Sequence, residues 1–445
     1  MNSLIVEENR KQRAEQFKNF TSMTGISDEQ IENFIHSSYE KPWDELKASQ
    51  KRGRLLVDQF FKAFNKSPLD DEGKYNYVAW RSLFMPTEIL YAFDMVPVTV
   101  EMAAAQISLS GFAVGRLEAA EGNHYSQDLC SFIKTGGGAI IENILPSPDI
   151  LLTSTHLCDP GAKFAMYASH KYKRPEFVLD IPFGMWNRGP GQSSGSRIED
   201  AVNYVAEQLE EMTEFIVRET GLPFSRSKLT EVINLANEAS RWFRMGNDIA
   251  HESPGKVRAS DMDYAIVLMQ TLGTKEIVDV YRARYEEFLD AEDISEKNKH
   301  KPTVGWAHLR PYYSNKLLSY VEEHANIASN HVNYVFWDDM DETDPFKSLA
   351  RKTVMHPGYC DVMTRAGTIT RVADNIEGII AFYPKSCRHY HSSSRIEQEI
   401  MKEHGVPMLV IDSDCIDNRG DDFLISKTRI DRFLKTLKRV RTSVA

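Results

Sequence analysis

Gly378-Ile-Ile-Ala-Phe-Tyr383, running straight into Pro384-Lys-Ser-Cys387, is the stretch that decides the fold. A short, unbroken apolar run bounded by Gly and Pro reads as a strand covered on both faces, as in a parallel sheet. A one-sided antiparallel strand would alternate apolar and polar residues instead. Similar runs lie on either side. Thr303-Val-Gly-Trp306, Asn333-Tyr-Val-Phe-Trp337 and Pro407-Met-Leu-Val-Ile-Asp412 share its half of the chain. Met95-Val-Pro-Val-Thr-Val100, Ile150-Leu-Leu-Thr-Ser154 and Phe177-Val-Leu-Asp-Ile181 recur in the first half. Helical patterns separate them. The sequence therefore predicts an α/β protein with two Rossmann- or flavodoxin-like parallel-sheet units.

The stretch between the units, 196–290, carries no strand signal. Ser196-Arg-Ile-Glu199 has the form of a capping box, and Ile198, Val202, Val205, Leu209, Met212 and Ile216 follow at helical spacing. Gly221 and Pro223 stop that helix. A second runs through Leu229, Val232, Ile233, Ala236 and Phe243, a third begins near Ser260 and a fourth near Thr274. Residues 1–75 are polar and helical, with apolar positions at Leu46, Leu55, Phe60 and Phe64. The expected organisation is a helical arm (1–75), a first α/β domain (76–190), a helical insert (191–300) and a second α/β domain (301–445).

Composition narrows the function. The chain has 445 residues, 42% hydrophobic and 26% charged, enough for a substantial core. A net charge of −11 argues against a nucleic-acid surface. The basic run Lys435-Thr-Leu-Lys-Arg-Val-Arg441 reads as a helix end, where cations complement the dipole. No apolar stretch reaches the ~18–20 residues needed to span a bilayer, and Met1-Asn-Ser-Leu-Ile-Val-Glu-Glu-Asn lacks the form of a signal peptide. A cytoplasmic protein with no membrane partner is expected. Five cysteines, Cys130, Cys158, Cys360, Cys387 and Cys415, are an odd set without an export signal, so a disulfide framework is not expected.

Two of them stand where chemistry belongs. Cys158 and Cys387 each follow a strand directly, and ligands of open parallel sheets sit beyond the carboxyl ends of strands. Cys130 lies just before Thr135-Gly-Gly-Gly138, which reads as a flexible loop of the first unit. Soft thiolates select zinc, copper or iron–sulfur clusters. Three suit a [4Fe–4S] cluster with one iron open, or zinc with His124 or His156 as a fourth ligand. Spacing alone does not choose, because no CxxC pair is present.

The wording around these cysteines resembles the family of 2-hydroxyacyl-CoA dehydratases and benzoyl-CoA reductases, from about Trp80 onward. Four segments carry the resemblance: Ser82-Leu-Phe-Met-Pro-Thr-Glu-Ile-Leu-Tyr-Ala-Phe-Asp-Met-Val-Pro-Val98; His156-Leu-Cys-Asp159 with Pro175-Glu-Phe-Val-Leu-Asp-Ile-Pro182; Asn375-Ile-Glu-Gly-Ile-Ile-Ala-Phe-Tyr-Pro-Lys-Ser-Cys387; and Gly405-Val-Pro-Met-Leu-Val-Ile-Asp-Ser-Asp414 with Thr428-Arg-Ile-Asp-Arg-Phe433. The resemblance implies that Cys130, Cys158 and Cys387 bind a [4Fe–4S] cluster beside an acyl-CoA thioester. It implies a hydroxyl near the cluster at Ser82, whose plain alternative is an N-cap. Glu101, at the end of the Pro-Val strand, is placed to move protons, or else is a solvated carboxylate. Glu88 reads as structural, in the first turns of its helix. His156 and His124 are candidate donors behind the ligands. Cys360 and Cys415 have no assigned counterpart, and Lys163, Lys171, Lys173 and Arg174 form a basic group left unassigned.

Within that family the mass of 50.8 kDa, the long arm and Phe93-Asp94 resemble the larger of the two cluster-bearing subunits of an ATP-dependent benzoyl-CoA reductase. The alternatives are a subunit of an (R)-2-hydroxyacyl-CoA dehydratase and a non-catalytic electron-transfer protein on the same scaffold. The partners implied are a homologous smaller cluster-bearing subunit, ATP-hydrolysing iron–sulfur activator subunits, and ferredoxin as electron donor. Five cysteines are too few for the six-cysteine double-cubane cluster of some relatives, and no GxxxxGK[ST] motif offers an ATP site on this chain.

Overall fold

A computed structural model describes residues 3–67, 74–155, 158–182, 194–258, 269–293, 295–313, 315–330, 338–356, 358, 361–370, 375–420 and 423–444. Two four-stranded parallel sheets organise it. The first contains β1 (Val78–Arg81), β2 (Val96–Val98), β3 (Ile150–Ser154) and β4 (Glu176–Leu179), in the order β2-β1-β3-β4. The second contains β5 (Thr303–His308), β6 (Asn326–Asn330), β7 (Gly378–Pro384) and β8 (Met408–Ser413), in the order β6-β5-β7-β8. The two orders are the same, so the architecture repeats although the residues do not.

Central β7 is buried at all seven positions and β3 at all five, which is why both read as unbroken apolar runs. Two strands are not legible that way. β1, Val-Ala-Trp-Arg, is short and ends in a buried arginine whose guanidinium donates to the Met85 carbonyl at 2.8 Å. β6, Asn-Ile-Ala-Ser-Asn, is largely polar yet wholly buried. It packs against the long helix Arg226–Glu252, and Asn326 Nδ2 donates to the Asn298 carbonyl at 3.0 Å. The strand expected at Asn333–Trp337 lies outside the described residues. Met95–Val100 is strand only over Val96–Val98, and a helix begins at Val100.

The helical block holds Ser194–Thr220, Arg226–Glu252 and Lys275–Asp290, the last capped by Thr274, whose side chain accepts the Ile277 N–H. The helix expected near Ser260 falls outside the described residues. Ser196 lies inside the helix rather than at its N-cap position. The helix already runs from Ser194, and Glu199 is bound by Arg351 and Lys347 instead. The closing basic run lies in the helix Phe423–Val444, as expected.

The arm forms helices Ser3–Thr24, Asp28–Tyr39 and Ala48–Ala63. It is tied to the first sheet by a buried ion pair, Arg13 to Asp149 at 2.7 Å, with both side chains shut from solvent. Asp149 also accepts the Val78 N–H at 2.7 Å and the Tyr75 hydroxyl at 2.6 Å. Among the described residues, no helix is long and apolar enough to cross a membrane.

Candidate active site

Cys130, Cys158 and Cys387 occupy one kind of local position. Each is the N-cap residue of a helix: Ser131–Ile141, Asp159–Tyr172 and the single turn Arg388–His391. None of the three side chains makes a full capping hydrogen bond to its own helix. None is joined in a disulfide, and all three residues are half-buried. Backbone N–H groups of Phe132 and Ile133 face the Cys130 sulfur, and those of His389 and Tyr390 face Cys387.

Cys130 and Cys387 are brought together from the two α/β units, where their neighbours Ser131 and Ser386 are hydrogen-bonded, and Cys158 is near enough to act electrostatically on Cys130. Burial pushes the Cys130 thiol well above its ordinary value, and the nearby Cys387 and Cys158 push it further the same way. Burial also raises Cys387. Gathered half-buried thiols resist ionisation, and a cationic metal centre reverses that balance. Three soft donors, with N–H groups aimed at sulfur, suit a [4Fe–4S] cluster. Among the described residues, no three His, Cys, Asp or Glu side chains converge closely enough to hold a single metal ion.

Thr135-Gly-Gly-Gly138 is not a flexible loop. It lies inside the helix Ser131–Ile141 that Cys130 precedes, and its glycines are there for close packing. A Cβ on Gly138 would stand 1.9 Å from the Arg116 carbonyl oxygen, and one on Gly136 would stand 2.2 Å from Val100 Cγ2. The helix carrying Cys130 is thus pressed against its neighbours.

Ser82 and Glu101 line one small cavity of about 30 Å³, together with Arg81, Gly161 and Phe164. That is room for about one water molecule. Gly161 joins this cavity to the cysteines, since a Cβ there would lie 3.3 Å from Cys158 Sγ. Ser82 is not an N-cap. It follows β1, while the helix Glu88–Ala92 is preceded by Thr87 at the N-cap position. Its Oγ pairs with Thr153 Oγ1 at 3.1 Å and accepts the Ser154 N–H at 3.3 Å. Glu101 does not end a strand; it sits in the first turn of the helix Val100–Leu109. Its Oε2 is shut from solvent without a hydrogen-bond partner among the described residues. Burial pushes its pKa up to about 7. Glu88 is fully buried in the first turn of its helix and ion-paired with Lys352.

The remaining candidates scatter. His124 is exposed, at φ 70° just beyond the helix Ala113–Gly122. His156 and Cys360 lie outside the described residues. Lys163, Lys171 and Lys173 are exposed, and Arg174 turns to Asn9 of the arm. Cys415 is a fully buried thiol near Cys387 and Cys130. The sequence reading missed Ser131, Ser386 and Asp414. Ser131 Oγ and Ser386 Oγ each donate to the Asp414 carboxylate at 2.6 Å, and the Ser386 oxygen accepts the Ser131 N–H at 3.2 Å. The available signal was adjacency: each of the three directly neighbours a cysteine.

Two like parallel-sheet units, with cysteines at helix N-cap positions in both, define the class as a two-unit α/β protein. Residues 82–437 match the family model described as 2-hydroxyglutaryl-CoA dehydratase, D-component, and the chain belongs to that family. It is 23% identical over 402 residues to the (R)-2-hydroxyisocaproyl-CoA dehydratase alpha subunit of Clostridioides difficile, covering 86% of this chain and 94% of that one. It is 24% identical over 399 residues to the B subunit of benzoyl-CoA reductase from Thauera aromatica, covering 82% and 90%. The alpha subunit of lactoyl-CoA dehydratase from Anaerotignum propionicum is 22% identical over 400 residues, covering 83% and 92%.

Proposed function

We propose that this chain is the larger cluster-bearing subunit of a benzoyl-CoA-reductase-type enzyme, with Cys130, Cys158 and Cys387 holding a [4Fe–4S] cluster. The observation that carries the reading is the convergence of these thiols beside a cavity lined by Ser82 and Glu101. The cluster, when bound, supplies low-potential electrons and an open iron that polarises the thioester carbonyl. The chain's own residues do the rest. Ser82 Oγ is a hydroxyl at the carboxyl edge of β1, held by Thr153 and positioned to hydrogen-bond a reacting oxygen. Glu101 holds a proton near neutral pH, in a pocket walled by Trp80 and Phe164, whose rings stack with centroids 6.1 Å apart. A carboxyl tuned to about 7 is matched to proton transfer at that pH. Reducing an aromatic ring to a cyclohexadiene takes two electrons and two protons, and Glu101 is the candidate for a proton-delivering group.

The working enzyme requires a second subunit, in keeping with the relatives' names as alpha and B subunits. ATP hydrolysis belongs to separate activator subunits, since this chain has no P-loop motif. A second reading is an (R)-2-hydroxyacyl-CoA dehydratase subunit, favoured by the family description and by two of the relatives. That reaction is redox-neutral overall.

Electron paramagnetic resonance with iron and sulfide analysis, on anaerobically purified complex, separates these. A reduced signal that changes on adding benzoyl-CoA, and is lost in Cys158→Ser, supports the reductase. A response only to a 2-hydroxyacyl-CoA assigns the dehydratase. A cluster signal indifferent to both thioesters assigns an electron carrier. Absence of iron, or a cluster surviving in all three cysteine variants, overturns the site.

A further inference from the structure

Asp414 follows β8 in the second unit and is 2% exposed. Its carboxylate accepts four hydrogen bonds. Two come from its own turn, the Ile416 N–H at 2.8 Å and the Asp417 N–H at 2.9 Å. The other two come from Ser131 Oγ and Ser386 Oγ, both at 2.6 Å. Ser131 is the residue after Cys130, in the first unit. Ser386 is the residue before Cys387, in the second. One buried carboxylate therefore grips the immediate neighbours of two thiols that arrive from different sheets. The Ser131 N–H to Ser386 Oγ bond, at 3.2 Å, closes the ring.

We propose that Asp414 is a positioning residue that locks Cys130 and Cys387 at a fixed separation across the two units, so that the thiols are pre-set to grip a cluster. The inference rests on the reading of these cysteines as ligands, but the lock itself is built only of protein groups. Hydrogen bonds to a charged acceptor are the strong kind, and four of them on one carboxylate leave it little freedom. The residues that orient metal ligands commonly govern affinity about 10- to 100-fold.

Two variants separate position from charge and from folding. Ser131→Ala/Ser386→Ala opens the bridge while Asp414 keeps its two backbone bonds and its charge. Asp414→Asn removes the charge but can still bond both serines. The first measurement is loss of iron to a chelator from anaerobically purified complex, followed by the cluster's visible absorbance. The double variant should release iron about 10- to 100-fold faster than wild type, with Asp414→Asn intermediate, both variants being compared below their thermal unfolding. Release at the wild-type rate from a folded double variant overturns the proposal. The second measurement uses metal-free protein: bridging of Cys130 to Cys387 by a short bifunctional thiol reagent, mapped by peptide mass spectrometry. Wild type should bridge readily, and the double variant should bridge more slowly. Equal rates also overturn the lock. Wild-type complex that contains no iron or sulfide as purified anaerobically, together with the expected difference in bridging, would sink the cluster reading while leaving the lock standing.

Discussion

The two sheets share strand order, yet their carboxyl edges are built in opposite ways. At the edge of the second sheet, His308 ends β5 with a left-handed φ of 65°, and Tyr383 nearly ends β7. Both bond to Glu397, which is fully buried: His308 Nε2 lies 2.7 Å from Oε2, Ser393 Oγ donates to Oε1 at 2.7 Å, and Arg365 Nε is 3.4 Å away. At the edge of the first sheet, Ser82 and Glu101 face a cavity, and Glu101 Oε2 has no partner among the described residues. Glu397 is surrounded by donors, although Arg365 Nε and Nη1 beside it have no hydrogen-bond partner among the described residues, whereas Glu101 faces open space with one oxygen unmet. A satisfied buried network rigidifies, and an unmet one is where chemistry is sought. The proposed function gives reaction duty to the first edge, and Glu397, ringed by donors, then serves as scaffold at the second.

The two carboxylates make this concrete. Desolvation raises both, but for Glu397 it is outweighed by His308, Tyr383 and Arg365, which hold it down at about 2. Glu101 has little to oppose desolvation and rises to about 7. The largest effect is expected at Glu397. Glu397→Ala leaves His308, Arg365 and Tyr383 without their shared acceptor and should cost about 3–5 kcal/mol, read from urea unfolding at pH 7. The sign of its pH dependence is set by the depressed pKa. Its stabilisation is complete above the unfolded value and drains away as pH falls from about 4.5 toward about 2. A loss below ~1 kcal/mol at pH 7 would remove the scaffold role.

Next in size is Ser82→Ala. If the first edge is the reactive one, turnover should fall about 100-fold, as when a hydrogen-bond donor to developing charge is removed. Stability should change by only about 1 kcal/mol, since the serine is half-buried and its partner Thr153 stays bonded within β3. Equal losses of activity and stability would make Ser82 a structural residue and erase the contrast between the edges.

How much of this was legible in sequence follows from what each feature depends on. β3 and β7 are written as apolar runs because both faces are covered, and Cys158 and Cys387 are conspicuous because they come just after them. β6 is hidden because its asparagines and serine are satisfied by tertiary partners that no local pattern encodes. Thr135–Gly138 reads as a loop because three glycines usually mark one; here they let the helix approach Arg116, Val100 and Tyr125. Glu101 was visible as a candidate, but its raised pKa was not, since burial is a property of the packed cavity. The Ser131–Asp414–Ser386 bridge spans 283 and 28 residues along the chain and exists only once the two units meet.

The smallest expected effect is also the one that most directly contrasts the two edges. Glu101 is raised in the folded chain, so its sign is opposite to that of Glu397. Below the unfolded carboxyl value near 4.5 it is neutral in both states and costs nothing. Between about 4.5 and 7 the unfolded chain ionises it while the folded chain resists, and the folded state loses stability as pH rises. Glu101→Gln removes that penalty, so the variant's stability relative to wild type should rise between pH 4 and pH 8, with no gain at pH 4. The same substitution should depress turnover and abolish an activity decline centred near pH 7. A variant that is destabilised at pH 8, or whose activity keeps the wild-type pH profile, would show that Glu101 is paired after all. The first edge would then be as closed as the second.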